Sequence, residues 1–101
     1  MTVHLRVDVI VDRPLLEEVK RLAKGVGLSG HTLLPVLGGE GGAGAWSEDL
    51  VTGAQSKLVF MVISSETKAR AFLGALEPLL ESHGLVALCS PVTVLRGAKF
   101  D

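Results

Sequence analysis

The chain has 101 residues, 48% of them apolar and 21% charged, which supplies one core of ordinary domain size and excludes disorder. Ten Lys and Arg offset eleven Asp and Glu, so no global field draws in nucleic acid or an anionic membrane, and a charged ligand has to be bound locally. The lone cysteine, Cys89, has no internal disulfide partner, the opening residues with Asp8 and Asp12 are unlike a signal peptide, and the longest apolar run, Leu58 to Ile63, is far shorter than the ~20 residues that span a bilayer. A cytoplasmic protein without membrane insertion is expected, and its surplus of apolar residues points to burial between copies of the chain.

From Val3 to Val11 every odd residue is apolar while His4, Arg6 and Asp8 occupy the other side, the period-two pattern of a strand with one buried face. Asp12 is the expected cap and Pro14 suits the first turn of a helix whose stripe is Leu15, Val19, Leu22 and Val26, ended by Gly25 and Gly27. His31 to Leu37 reads as a second strand, placed at an edge by Pro35. Residues 38–56 form a long connection with glycine at five of the seven positions from Gly38 to Gly44, and connections of that length in a small domain are usually functional. Lys57 to Ile63 is a third strand, unbroken enough in its apolar run to be central. Ser64 or Ser65 is expected to cap a second helix with the stripe Ala69, Phe72, Leu73, Leu76, Leu79 and Leu80; Pro78 should kink it and His83-Gly84 close it. Leu85 to Leu95 is the last strand, bent or bulged at Ser90-Pro91, followed by a tail from Arg96 to Asp101.

The order β-α-β-β-α-β, two split βαβ units, predicts an α+β ferredoxin-like sandwich over residues 1–101: a four-stranded antiparallel sheet with both helices on one face. The third and fourth strands carry apolar residues at both parities, so the uncovered face needs a second layer from another copy.

Within the long connection, Gly39-Glu40-Gly41-Gly42-Ala43-Gly44 matches the spacing G-x-G-x-x-G, but it lies between two strands and opens no helix, so it is not a dinucleotide fingerprint. Its glycines can still expose N–H groups to an anion, or serve as a flexible connector. Trp46, the only tryptophan, sits in the polar stretch Trp46-Ser47-Glu48-Asp49, where an amphipathic ring meets a partner or staples the loop to its own domain; Glu48 and Asp49 read as solvated charges with no catalytic role. Glu40, Gly41, Gly42, Trp46, Glu48 and Asp49 are therefore the candidates for an anion or a partner protein. The histidines His4, His31 and His83 lack zinc-site spacing, Cys89 reads as a small core residue, and the serine pair lacks a nucleophile elbow. Arg96 and Lys99, after the last strand, can reach phosphates or can be ordinary surface charge. Aromatic residues are too few and basic ones too dispersed for nucleic-acid binding.

Gly27-Leu28-Ser29-Gly30-His31-Thr32, the run through Val36 into Gly38, Ala54 to Ser64, and Pro91-Val92-Thr93-Val94-Leu95-Arg96 together resemble the PII signalling superfamily across nearly the whole chain. In that family the first segment reads G-[IL]-[ST]-G-x-T, residues 38–56 correspond to the T-loop, and the last strand ends in a phosphate-contacting arginine. The resemblance implies a homotrimer without enzymatic activity that binds adenine nucleotide between subunits through Val11, Thr32, Gly38, Gly39, Met61 and Arg96, with Lys99 beside the phosphate. Departures from the nitrogen-regulatory members are a region before the last strand reduced to Glu81-Ser82-His83-Gly84-Leu85, where they carry a lysine-containing B-loop; no tyrosine; and no glutamine just after Gly38. Those differences, with Trp46-Ser47-Glu48-Asp49 and the ending Val94 to Phe100, resemble the carboxysome-associated PII-like proteins. That implies ADP or AMP as ligand, bicarbonate at the T-loop, and regulation of a bicarbonate or other membrane transporter. A trimeric metal-binding protein of the CutA type is the alternative; an acylphosphatase-like hydrolase would need an asparagine, and the chain has none.

Overall fold

The computed structural model describes residues 2–41, 44–47 and 57–100. The chain runs as β1 (Thr2–Asp12), a 3-10 turn (Arg13–Leu15), α1 (Leu16–Gly25), β2 (Thr32–Pro35), β3 (Gly38–Gly41), β4 (Gly44–Ser47), β5 (Lys57–Ser64), α2 (Glu66–His83), β6 (Val86–Val94) and a C-terminal 3-10 turn (Gly97–Phe100). The main sheet has the order β2-β5-β1-β6 with every pairing antiparallel, and β3 and β4 form a separate two-stranded ribbon. This is the ferredoxin-like sandwich expected from the element order. Pro35 lies on the edge strand β2, and β5 is central, as the apolar run requires.

The alternation of β1 and β5 decides where the core sits. Val7, Val9 and Val11 with Leu58, Phe60 and Val62 face the helices and are buried against Leu16, Val19 and Ala23 of α1 and Ala69, Phe72 and Leu76 of α2. Phe60 is central to this packing: its ring lies 6.0 Å from that of Phe72 and stacks at 4.8 Å on His31, just before β2. Burying side chains of this size contributes about 1.5–3 kcal/mol each, so these few residues carry much of the fold.

The opposite face has no helix. Cross-strand register aligns Leu34, Val59, Ile10 and Val86 in one row, and Thr32, Met61, Asp8 and Leu88 in the next. Val86 and Leu88 are 48% and 55% exposed. At one end this face is covered by the C-terminal turn, where the Phe100 ring meets His4 edge-on at 6.5 Å and His4 is 2% exposed. Arg6 and Asp8, two residues apart and so on this same face, pair at 3.0 Å.

Several local expectations are corrected. Asp12 makes no side-chain cap bond; its carboxylate accepts from Lys57 Nζ at 2.6 Å, joining the ends of β1 and β5. Ser65 takes the N-cap position of α2 without a side-chain bond, its carbonyl accepting from Ala69 N–H at 3.0 Å. α2 runs through Pro78 to His83 and is closed by Gly84, as expected. No bulge interrupts β6: its register with β1 is continuous from Thr2 opposite Val94 to Ile10 opposite Val86, because Pro91 lies on an edge strand and its missing N–H removes no outer ladder bond. Cys89 is exposed rather than core, since helical cover thins out over that edge. Val3, on the inner strand β1, is exposed because it lies beyond Leu5, where the pairing with β5 ends. The long connection contains the β3–β4 ribbon, which a glycine-rich stretch does not announce.

Gly84 ends α2 at φ +65, and an added methyl group there would meet nothing within 4 Å. Gly84→Ala is therefore expected to lose about 1–2 kcal/mol from backbone strain alone. Gly25→Ala, at a helical site with equally open space, is expected to be neutral or stabilising by up to about 1 kcal/mol. Paired urea titrations check the contrast; equal effects would remove the role given to φ at Gly84.

Candidate functional site

The end of α1 builds one wall of a cleft. Leu28 N–H donates to Ala23 O and Gly27 N–H to Lys24 O, both at 3.0 Å, a Schellman closure that needs the φ of +92 found at Gly27. The closure sends Leu28 into the core and turns Ser29, Gly30 and His31 outward, with His31 fixed by its stack on Phe60. Facing this turn is the second half of β5, Met61 to Ser64, and the rim is completed by Lys68 of α2 and by Lys99 and Phe100 of the C-terminal turn. The cleft is open to one side and has a volume of about 360 Å³, within the range of small-molecule sites.

Of the residues expected to contact a nucleotide, three meet here. Thr32 and Met61 are direct cross-strand neighbours between β2 and β5, and Lys99 lies across the cleft with its ammonium 5.8 Å from the centre of the Phe100 ring. The others lie elsewhere. Val11 is buried on the helix side at the far end of β1, opposite Leu58, so only its backbone is offered. Gly38 and Gly39 open the ribbon a few residues beyond Pro35, which also pairs with Leu58. That row is three residues along β5 from Met61, roughly 10 Å. Arg96 is exposed at the end of β6 and does not line the cleft; its carbonyl accepts from Lys99 N–H at 3.2 Å. In the ribbon, Gly39 faces Trp46 and Glu40 faces Ala45, while Gly41 faces Gly44. Gly42, Glu48 and Asp49 lie outside the described residues.

The sequence reading missed Lys68. Its signal was a cation in the first turn of a helix, at the positive end of the helix dipole. A second hollow of about 410 Å³ lies on the helix side of the same turn and shares Leu28 to His31 with the cleft. Two of its cations are engaged within α1: Lys20 with Glu17 at 3.4 Å and Arg21 with Glu18 at 2.9 Å. The Arg21 hydrogen bond holds the Glu18 carboxyl below the usual carboxylate range. His4 is buried whereas His31 and His83 are exposed, and among the described residues no three His, Cys, Asp or Glu side chains gather as a metal site. Nor, among those residues, is any helix long and apolar enough to cross a membrane.

Solved structures share this fold closely. CPII, a nitrogen regulatory PII-like protein from Thiomonas intermedia bound to ADP, AMP and bicarbonate, superposes with a TM-score of 0.89 at 21% identity, covering 98% of this chain and 94% of that one. A Thermus thermophilus protein assigned to the PII-like signalling class gives 0.84 at 24% identity over 99% and 97%. The B. subtilis GlnK-ATP complex gives 0.64 at 13% identity over 89% and 82%. No curated protein matches the chain in sequence. The family model for nitrogen regulatory protein P-II, however, matches residues 5–99, nearly every element from β1 to the C-terminal turn, and the chain belongs to that family.

Proposed function

We propose that the protein is a signalling protein without turnover that binds ADP or AMP in the Gly27–Thr32 cleft and transmits the bound state through residues 38–56. The observation that carries this reading is the convergence of the Gly27-to-Thr32 motif, Met61 and Lys99 on one cleft of about 360 Å³. The apolar surfaces of Met61 and Phe100 suit a base or sugar face, and the lysines suit phosphate. The ADP, AMP and bicarbonate bound by the Thiomonas intermedia relative support the ligand class.

The second group, Val11 with Gly38 and Gly39, lies roughly 10 Å along the sheet from the cleft, which supports a site completed by a neighbouring subunit. A homotrimer closing on the helix-free face provides that neighbour and covers the exposed Val86 and Leu88. Bicarbonate at the base of the ribbon, near Gly38 to Gly41, is the proposed second ligand. The proposed output is control of a bicarbonate or other membrane transporter by residues 38–56, in the cytoplasm and in association with carboxysomes. A ligand acts on that segment only through its different affinity for the segment's states.

Calorimetric titration with AMP, ADP, ATP and cyclic AMP, with and without bicarbonate, tests the reading. Saturable heat with ADP or AMP is expected, and its absence with every nucleotide would end the proposal. Arg96 does not line the cleft of its own subunit, so it is proposed to reach the phosphate from the neighbouring one; Arg96→Ala should then weaken nucleotide binding about tenfold or more, the loss of one charge-assisted contact, while leaving the oligomeric state intact. Unchanged affinity would remove Arg96 from the site.

A further inference from the structure

We infer that Lys68 is a second anion-binding cation of the cleft, acting with Lys99 so that the site prefers a nucleoside diphosphate to a monophosphate or a bare nucleoside; this deepens the nucleotide reading above and rests on it. The two lysines come from unrelated elements, the start of α2 and the C-terminal turn, yet line the same cleft. The stem of Lys68 runs past the Schellman closure, where a methyl group added at Gly27 would meet Lys68 Cε at 3.6 Å. The same turn that forms the cleft wall thus guides this side chain.

Charge accounting separates this pair from most other cations. Among the described residues Arg6, Lys20, Arg21, Lys57 and Arg70 each have a carboxylate partner, whereas Arg13, Lys24, Lys68, Arg96 and Lys99 have none, and of these five only Lys68 and Lys99 line the cleft. The one acidic group in the first turn of α2, Glu66, is taken by Arg70 at 2.7 Å. Lys68 therefore stands uncompensated at the positive end of an 18-residue helix, a placement that local electrostatics oppose. Departures from local preference of this kind are expected where a residue serves a ligand. Two unpaired ammonium groups on one cleft with Ser29 and Thr32 match an anion of more than one charge, presented by a ligand whose remaining surface is apolar enough for Met61 and Phe100.

The test is calorimetric titration of ADP, AMP and adenosine into the full chain and into Lys68→Gln and Lys68→Arg, together with melting of each ligand-free protein. The full chain should bind ADP most tightly and adenosine least. Lys68→Gln should weaken ADP about tenfold, equivalent to about 1.4 kcal/mol, weaken AMP less, and leave adenosine unchanged. Lys68→Arg should retain the preference for ADP, and the ligand-free Gln variant should melt no lower than the full chain because an opposed charge has been removed. Equal ADP affinity in the full chain and Lys68→Gln would overturn the inference while sparing the nucleotide reading. So would an equal loss for all three ligands, which would mark a packing role. If the full chain binds none of the three, the nucleotide reading itself fails and this inference falls with it.

Discussion

Replacing Phe60 by alanine is expected to lower the unfolding free energy by about 3–5 kcal/mol, the range for deleting a large buried aromatic side chain. Phe60 is 1% exposed on the central strand β5, its ring packs against Phe72 at 6.0 Å, and its neighbours belong to both helices and β1, so no single element can collapse into the space it leaves. Against a typical total of about 5–15 kcal/mol, that is a large share of the stability of one domain. The substitution also removes the surface on which His31 stacks at 4.8 Å, so the cleft wall should loosen in the molecules that remain folded. Urea unfolding followed by circular dichroism checks the first effect, with Phe60→Leu as a milder control expected to lose less. A loss below about 1 kcal/mol for Phe60→Ala would mean that the two aromatic rings do not anchor this core.

Leu88→Lys should turn the proposed trimer into a monomer without unfolding the chain. Leu88 is 55% exposed on the helix-free face, so a single subunit tolerates the longer polar side chain with its ammonium in water. In an assembly closed on that face the same ammonium would be taken out of water, at a cost of several kcal/mol per subunit. Sedimentation velocity should then show a species near 10.6 kDa where the unaltered chain sediments at three times that mass. A variant that keeps the trimer would show that this face is not what the copies share, and Lys24→Ala, on α1 at the other side of the sheet, serves as the control that should leave assembly unchanged.

The parts of the fold that were legible in the sequence are those in which side-chain period and burial agree. Val7, Val9 and Val11 alternate because one face of β1 meets the helices, and Leu58 to Ile63 is continuous because β5 is central. Gly84 marked the end of α2 because only a left-handed residue closes that turn without strain. What failed was whatever depended on a choice between equivalent partners. Asp12 could bond its own helix or a distant lysine, and the distant Lys57 won. Pro91 suggested a break, but an edge strand accommodates it without one. Cys89 looked buried in an apolar strand, and only the sheet order reveals that its strand is outermost. The site was legible to the extent that Thr32 and Met61 are cross-strand neighbours and Lys99 joins them. Lys68 was hidden because nothing in a linear pattern tells that the first turn of α2 rises beside the end of α1.

The ribbon has a property that sets it apart from the rest of the chain. One of its strands, Gly38–Gly41, has a single side chain beyond hydrogen, that of Glu40, and two-stranded ribbons are marginal in water even when well furnished with side chains. Its persistence therefore rests on whatever touches it from outside, while facing it is Trp46, the sole indole in a chain with no tyrosine. Ultraviolet emission from the unmodified protein is accordingly a spectrum of this ribbon alone, and the segment proposed to carry the signal is also the one that can be watched in real time without attaching a dye.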